Sequence, residues 1–169
     1  MWNAFSIIPS SLLVVVAFVF AAFMPPSGGH DRGFLIQAEE AGNFEVAEGR
    51  LAEMRGRSNE VRMLGARMVH DHTLAGQRLA AIARSQGLPV TSSLGSSGYQ
   101  QLSRARGLHG RAFDDFYVRS NVTDHEQVAM LLQHEIAAGR DPALRRWARQ
   151  TLPVIRLHLH LFLAARSRL

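Results

Sequence analysis

The sequence predicts an all-α protein, an antiparallel four-helix bundle that follows an apolar N-terminal segment. Apolar residues recur at the three- and four-residue spacing of amphipathic helices over long stretches. Helix-stopping segments divide these stretches, notably Gly87-Leu88-Pro89 and Gly139-Arg140-Asp141-Pro142. No stretch sustains the apolar–polar alternation and β-branched enrichment of a strand. Four helices joined by two short connections and one longer one are typical of an antiparallel bundle.

Residues 1–24 are predicted to be a signal peptide or an N-terminal membrane anchor helix. Residues 4–24 include no charged side chain and contain a strongly apolar run over 11–23. A bilayer span needs about 20 apolar residues and a signal-peptide core about 7–15, so the segment fits between the two. Both interpretations predict export to the periplasm; in the second, residues 4–24 tether the protein to the inner membrane. Residues 25–32 follow as a Pro/Gly/Ser linker.

The bundle domain is predicted to occupy residues 33–169. Ser58 and Asp141 are expected to be N-cap residues, and Pro142 suits a first helical position. Pro153 lies inside the last helical pattern, where it is expected to kink the helix or remove a backbone hydrogen bond. The predicted helices cover residues 33–55, 58–86, 111–138 and 142–169, with a polar loop over 90–98 and a short helical start over 99–106.

The chain carries a formal net charge of +5, and its 19 basic residues are all arginines. These arginines alternate with acidic and apolar residues, without the recognition motif or aromatic interleaving of a nucleic-acid interface. We therefore expect a solvated basic surface and no nucleic-acid partner, while the sequence identifies no protein partner. The absence of cysteine excludes disulfides, thiolate metal ligands and cysteine nucleophiles.

Each predicted helix carries one polar residue among apolar neighbours: Glu45, His72, His125 and His158. Their offsets from the predicted turns place them at a similar height in the bundle, because a helix rises about 1.5 Å per residue. An unpaired polar group in a core costs roughly 1–3 kcal/mol, so all four side chains need partners.

One hypothesis assigns these four residues to a metal site. Three imidazoles and a carboxylate suit one transition-metal ion, with zinc, copper, manganese and iron as the candidates. Asp114 and Tyr117, which precede His125 on the same predicted helix, would support the ligands through hydrogen bonds. The Glu-x-x-His motif of di-iron bundles is absent before each histidine, which argues against a di-iron oxidase.

A second hypothesis assigns the same residues to a structural network in a metal-free envelope scaffold or interaction protein. Core histidines bonded to Glu45, Asp114, Tyr117 or Asn121 need no metal if every member of the network is satisfied. No nucleophile elbow or phosphate-binding loop occurs, so no catalytic residue is identified and enzyme activity stays undecided. Five further histidines are expected at surface, linker or loop positions: His30, His70, His109, His134 and His160.

Four segments stand in order along the chain: Phe34-Leu35 with Gly42-Asn43-Phe44-Glu45-Val46, Arg67-Met68-Val69 with Asp71-His72, Ala112-Phe113-Asp114 with Tyr117 and Asp124-His125, and Thr151-Leu152-Pro153 with His158-Leu159. They resemble the motifs of the bacterial family called domain of unknown function 4142, and the resemblance extends from about Gly33 to Ala165. It implies a ferritin-like helical bundle that is exported, whereas the family's activity is not established. The predicted site residues Glu45, His72, Asp114, Tyr117, His125 and His158 fall on its motif positions. Under the metal hypothesis, the role would be envelope metal handling or a stress response.

Overall fold

A computed structural model describes residues 29–169, which form five α-helices and no strand. The predicted all-α class is therefore confirmed. The four predicted helices become five, because the segment after the polar loop forms a helix of its own. The predicted leader, residues 1–24, and residues 25–28 of the predicted linker lie outside the described residues. The helices are α1 (Gly29–Arg55), α2 (Asn59–Ser85), α3 (Gly95–Arg106), α4 (Gly110–Ala138) and α5 (Pro142–Arg166).

No helix within residues 29–169 is long and apolar enough to cross a membrane. The four long helices are instead amphipathic, and each buries one face against its neighbours.

The predicted capping residues determine where the helices begin and end. Ser58 Oγ accepts a hydrogen bond from Val61 N at 3.1 Å, and Asp141 caps α5 in the same way. Gly87 has a φ of 67°, a left-handed conformation that glycine adopts without strain. This conformation lets Leu88 N donate to Ala83 O at 2.9 Å and so closes the end of α2.

Helix α1 begins at Gly29, four residues before the predicted start at residue 33. Its first turn is held by contacts that are distant in sequence. The Asp31 carboxylate accepts hydrogen bonds from Arg140 N at 2.9 Å and from Asp141 N at 3.1 Å. The second half of the predicted linker is therefore helical, because the turn between α4 and α5 supplies backbone donors to it.

The contacts of two aspartates show the direction in which the long helices run. Asp31, near the start of α1, contacts the α4–α5 turn, whereas Asp114, near the start of α4, contacts the α1–α2 turn. Helices α1 and α4 therefore run in opposite directions, and α2 and α4 run in the same direction. The connection over residues 86–109 must return along the bundle, and α3 lies within it and packs on α1.

Two glycines allow α1 and α2 to approach closely. A Cβ atom on Gly49 would lie 2.9 Å from the carbonyl oxygen of Gly65, and one on Gly65 would lie 2.6 Å from that of Gly49. Real Cβ atoms do not come so close, so both positions require glycine. This contact brings the buried face of α1 against α2 about two turns from the connection between the two helices.

Pro153 lies inside α5, which continues from Pro142 to Arg166. Because proline has no N–H, the helix lacks one internal hydrogen bond there, as predicted. Leu152 and Ile155 are buried on either side of it, and this packing keeps the segment helical.

A layer of polar side chains separates two apolar clusters in the core. One cluster lies toward the α1–α2 turn and includes Met68, Phe113 and Phe162. The other lies toward the α4–α5 turn and includes Leu79, Leu132 and Ile155. The residues between them on each long helix include the four that the sequence singled out, Glu45, His72, His125 and His158, and all four are buried.

Candidate metal centre

His72, His125 and His158 meet in the polar layer, each from a different helix. The ring centroids are 5.7 Å apart for His72 and His125, 5.3 Å for His72 and His158, and 5.4 Å for His125 and His158. One ring nitrogen of each residue lies within 4.8 Å of one ring nitrogen of each of the others. The predicted convergence of the three side chains is therefore present.

Hydrogen bonds occupy one nitrogen on two of the rings and leave the other free. His125 Nδ1 lies 2.9 Å from the carbonyl oxygen of Asn121, and His158 Nε2 lies 2.9 Å from Asp71 Oδ2. His72 Nε2, His125 Nε2 and His158 Nδ1 are buried and have no hydrogen-bond partner among residues 29–169. Each ring thus presents one unsatisfied nitrogen to the core.

Burial keeps the three imidazoles uncharged. The pKa of His125 is lowered to about 3, chiefly by burial and also by the neighbouring His158, against the opposing hydrogen bond to Asn121. Burial also lowers the pKa of His72 well below its usual value, with contributions from His125 and His158. For His158, burial lowers the pKa more than the hydrogen bond to Asp71 raises it. Neutral imidazole is the form that binds metal ions.

Asp71 fixes the orientation of the His158 ring. Its Oδ2 faces His158 Nε2, while its Oδ1 lies 2.8 Å from His70 Nδ1, and Arg67 approaches to 3.8 Å. Burial alone would raise the pKa of Asp71, but the hydrogen bonds from His70 and His158 outweigh it and the net pKa is lowered. The carboxylate is therefore ionised and keeps the N–H of His158 on Nε2.

Glu45 lies beside His125 rather than among the three nitrogens. Its Oε1 is 3.6 Å from His125 Nδ1, the nitrogen that also faces the Asn121 carbonyl. Burial raises the pKa of Glu45 well above its usual value, and the negative charges of Glu48 and Asp124 raise it further. Its other oxygen has no hydrogen-bond partner within the described part of the chain.

A second buried acid, Glu48, lies one turn further along α1. Asn121 Nδ2 donates to Glu48 Oε2 at 2.9 Å and to the carbonyl oxygen of Tyr117 at the same distance. The pKa of Glu48 is raised to about 8, chiefly by burial and also by the charge of Asp124, against hydrogen bonds from Asn121 and Gln101. Glu48 therefore holds its proton near neutral pH in the absence of a nearby cation, and burial favours the protonated form of Glu45 in the same way.

Tyr117 is fully buried beside these two glutamates. Its ring stacks on Phe113 at a centroid distance of 6.1 Å and meets Phe162 edge-on at 5.6 Å. Burial raises the pKa of Tyr117 well above its usual value, and the charges of Glu45 and Glu48 raise it further. The hydroxyl has no partner among the residues that the structure describes, and it remains a neutral donor next to the acids.

Asp114 contacts the turn between α1 and α2 rather than the histidines. Its two oxygens accept hydrogen bonds from Arg57 N at 2.9 Å and from Ser58 N at 2.8 Å, in the turn between α1 and α2. Backbone donors exposed at the end of one helix and the start of the next attract a carboxylate there. Asp114 therefore joins α4 to this turn, and the geometry does not give it the supporting position beside the histidines that we predicted.

Two cavities reach the histidines. The larger, of about 570 Å³, lies between α1, α2, α5 and the connection after α2, and it is lined by His72 together with Ala41, Gly76 and Trp147. The smaller, of about 270 Å³, lies between α2 and α5 and is lined by Asp71, His72 and His158. His72 lines both cavities, so the set is accessible to small molecules.

A sequence model of the family described as Domain of unknown function (DUF4142) matches residues 21–164. The chain belongs to the DUF4142 family. The match covers most of the chain and confirms the resemblance found in the motifs. Comparison with curated proteins gave no match.

The fold of this DUF4142 chain resembles a solved structure, described as the crystal structure of a DUF305 fragment from Deinococcus radiodurans. The two structures have a TM-score of 0.70 and 16% sequence identity, over 86% of this chain and 100% of the other. At this identity the likeness concerns the fold alone.

The sequence-based prediction missed two residues of the candidate site. It gave Asp71 no role, although Asp71 stands between His70 and His72, and an acid next to a histidine was the available signal. It gave Glu48 no role either, although Glu48 is fully buried. His70 and His160 are exposed, as we expected.

Proposed function

We propose that the chain binds one transition-metal ion through His72, His125 and His158. Two observations support this proposal: the three buried histidines come from three helices and bring one ring nitrogen each within 4.8 Å of one another, and each ring has a buried nitrogen without a hydrogen-bond partner among residues 29–169. Leaving three such atoms unsatisfied is costly in a core, and a metal ion would satisfy them together. Bond lengths near 2.0–2.1 Å require the rings to move closer together by about an ångström on binding.

The surroundings of the rings favour this proposal over a hydrogen-bonded network. Metal-binding histidines commonly donate their second N–H to a carboxylate or a backbone carbonyl. Asp71 and the Asn121 carbonyl make this contact for His158 and His125. In a purely structural network the inward-facing nitrogens would bond to one another or to acids, whereas here they have no partner within residues 29–169.

The donor set favours zinc or copper. Three neutral imidazoles suit these ions, whereas manganese prefers oxygen ligands. Three protein ligands also leave one coordination position open, as in zinc sites that exchange a ligand. His72 lines the larger cavity, so the ion would be accessible to a small molecule or to exchange with a partner. Envelope metal handling is therefore the role we propose, and the geometry identifies no catalytic residue.

We assign supporting roles to Glu45 and Tyr117 rather than direct ligation. Glu45 contacts the Nδ1 side of His125, and Tyr117 lies against Glu45 and Glu48. A bound cation would lower the pKa of these acids, so metal binding is expected to release a proton from them.

The proposed location is the periplasm. The apolar run within residues 4–24 favours export, either as a cleaved signal peptide or as an inner-membrane anchor. The single long crossover between α2 and α4 supports a ferritin-like arrangement of the bundle. The arginines are dispersed along the sequence, which argues against a nucleic-acid partner.

Metal content of protein purified without a polyhistidine tag tests the proposal. We expect wild-type protein to bind zinc or copper, and His72→Ala to bind one equivalent less, with affinity reduced more than about 100-fold. His72 is a suitable position because it lines two cavities, so truncation disturbs the packing little. The matched control is His160→Ala, an exposed histidine two residues after His158.

Two results would overturn the proposal. One is a folded wild-type protein that binds neither ion at micromolar concentration, which would support the metal-free scaffold instead. The other is a His72→Ala variant that binds as much metal, and as tightly, as the wild type.

A further inference from the structure

A second group of metal-ligand side chains lies at the end of the bundle where α1 begins and α4 ends. His30 and Asp31 stand in the first turn of α1, and Glu135 stands in the last turn of α4. One ligand atom from each lies within 4.8 Å of the others. Glu135 follows His125 by ten residues on α4, so this group is about 15 Å along the axis from the histidine set.

Glu135 is the unusual member of this group. Its side chain has 0% exposure, and neither of its oxygens has a hydrogen-bond partner within residues 29–169. His30 Nε2 approaches Oε2 to 3.2 Å. The pKa of Glu135 is raised to about 7, chiefly by burial and also by the charges of Asp31 and Asp141, against the charge of Arg145. A buried carboxylate beside two other acids needs a proton or a cation.

Asp31 can accept further contacts besides those that it makes with the turn between α4 and α5. Its two oxygens accept from Arg140 N and Asp141 N, at 2.9 and 3.1 Å. Each carboxylate oxygen has two acceptor positions, so one on each remains for another contact. Hydrogen bonds of this kind orient a ligating carboxylate.

We propose that His30, Asp31 and Glu135 form a second site, for a divalent first-row transition cation. One imidazole and two carboxylates make a more oxygen-rich donor set than the three imidazoles of the core, and such a set accepts manganese as well as zinc. The His30 side chain is 35% exposed, so the ion enters from solvent at the end of the bundle. The site links the start of α1 to the end of α4.

Paramagnetic line broadening by Mn²⁺ tests this site separately from the core. In the ¹⁵N-labelled full chain, substoichiometric Mn²⁺ is expected to broaden the amide signals of His30, Asp31 and Glu135. Glu135→Gln, which keeps the shape of the side chain, is expected to need at least tenfold more Mn²⁺ for the same broadening. Glu126→Gln, an exposed glutamate on the same helix, is the matched control and should behave as the wild type.

His30→Ala provides a second variant, because His30 is partly exposed and its truncation leaves the core intact. It should weaken Mn²⁺ binding as Glu135→Gln does. The proposal is overturned if Mn²⁺ broadens no signals at this end of the bundle, or if both variants bind like the wild type. Because Mn²⁺ broadens signals over distances comparable to the roughly 15 Å between the two sites, the variants separate them. Broadening that Glu135→Gln removes belongs to this site and broadening that His72→Ala removes belongs to the core, so failure of one site is distinguishable from failure of the other.

Discussion

Asp71 and His158 face each other across α2 and α5, with Asp71 Oδ2 2.9 Å from His158 Nε2. This contact joins a partly exposed carboxylate to a fully buried imidazole. It determines which nitrogen of His158 carries the proton, so Nδ1, which is buried and has no partner among residues 29–169, is left as an acceptor. A partly exposed carboxylate therefore sets the tautomer of one ring in the candidate metal centre.

Replacing Asp71 with asparagine is expected to weaken metal binding about 10- to 100-fold, because the amide holds the His158 ring less firmly and adds no negative charge. Zinc affinity, measured by competition with a chelating dye, checks this. Asp115→Asn, on the surface of α4 and paired only with Arg119, should leave the affinity unchanged. Equal affinities in the two variants would remove Asp71 from the site.

Metal affinity is expected to persist at mildly acidic pH. Three imidazoles of ordinary pKa near 6.5 would together lose roughly 10³-fold in affinity at pH 5.5, because protons compete for each nitrogen. Here burial lowers the pKa of His125 to about 3 and also lowers those of His72 and His158. Protons should therefore compete little for the ring nitrogens, and the one proton that the buried glutamates release on binding should leave a decline of about tenfold per pH unit at most. Zinc affinities at pH 7.5, 6.5 and 5.5 check this, and a steeper loss would contradict it.

Glu48 is expected to make the metal-free protein less stable as the pH rises. Its pKa is about 8 in the folded chain against 4.5 as the usual value, so the folded state binds more protons between these limits. Stability is then highest below the lower value and falls as the pH approaches and passes 8. Urea unfolding at pH 5.5, 7 and 8.5 should show this decline.

Glu48→Gln should flatten that decline, because glutamine has no proton to lose and still accepts the hydrogen bond from Asn121. Glu53→Gln, an exposed residue on the same helix, should keep the wild-type dependence. A decline that is equally steep in Glu48→Gln would assign the effect to another group.

Much of the fold follows from local pattern, and the site follows only in part. Both ends of α2 and the start of α5 were predictable because Ser58, Gly87 and Asp141 act on neighbouring backbone groups. Helical spacing also identified the buried histidines. The early start of α1 and the position of Asp114 were not predictable, because both depend on hydrogen bonds between residues far apart in sequence.

Alanine at Gly49 or Gly65 is expected to destabilise the protein by about 1–3 kcal/mol, because each new methyl group would force α1 and α2 apart. Gly42 and Gly76 are matched controls on the same helices, since a Cβ there meets none of the described atoms within 4 Å. Alanine at these controls should be neutral or stabilising by about 0.5–1 kcal/mol, owing to its higher helix propensity. Chemical denaturation checks both pairs.

Removing the Asp114 carboxylate is expected to lower stability without changing metal affinity. Asp114→Ala leaves the amides of Arg57 and Ser58 without their acceptor, at a cost of about 1–3 kcal/mol. Thermal unfolding and zinc titration of the same sample separate the two effects. A marked loss of zinc affinity with unchanged stability would restore Asp114 to the metal centre.

The crossover between α2 and α4 determines when the three histidines can meet as the chain folds. His72 belongs to the first helical hairpin, and His125 and His158 belong to the second. A chain still emerging from the ribosome has no assembled centre until its last helix has docked. An ion bound there afterwards would fasten one hairpin to the other. Metal binding would therefore complete folding rather than initiate it. Removal of the ion would first weaken the contact between the two hairpins.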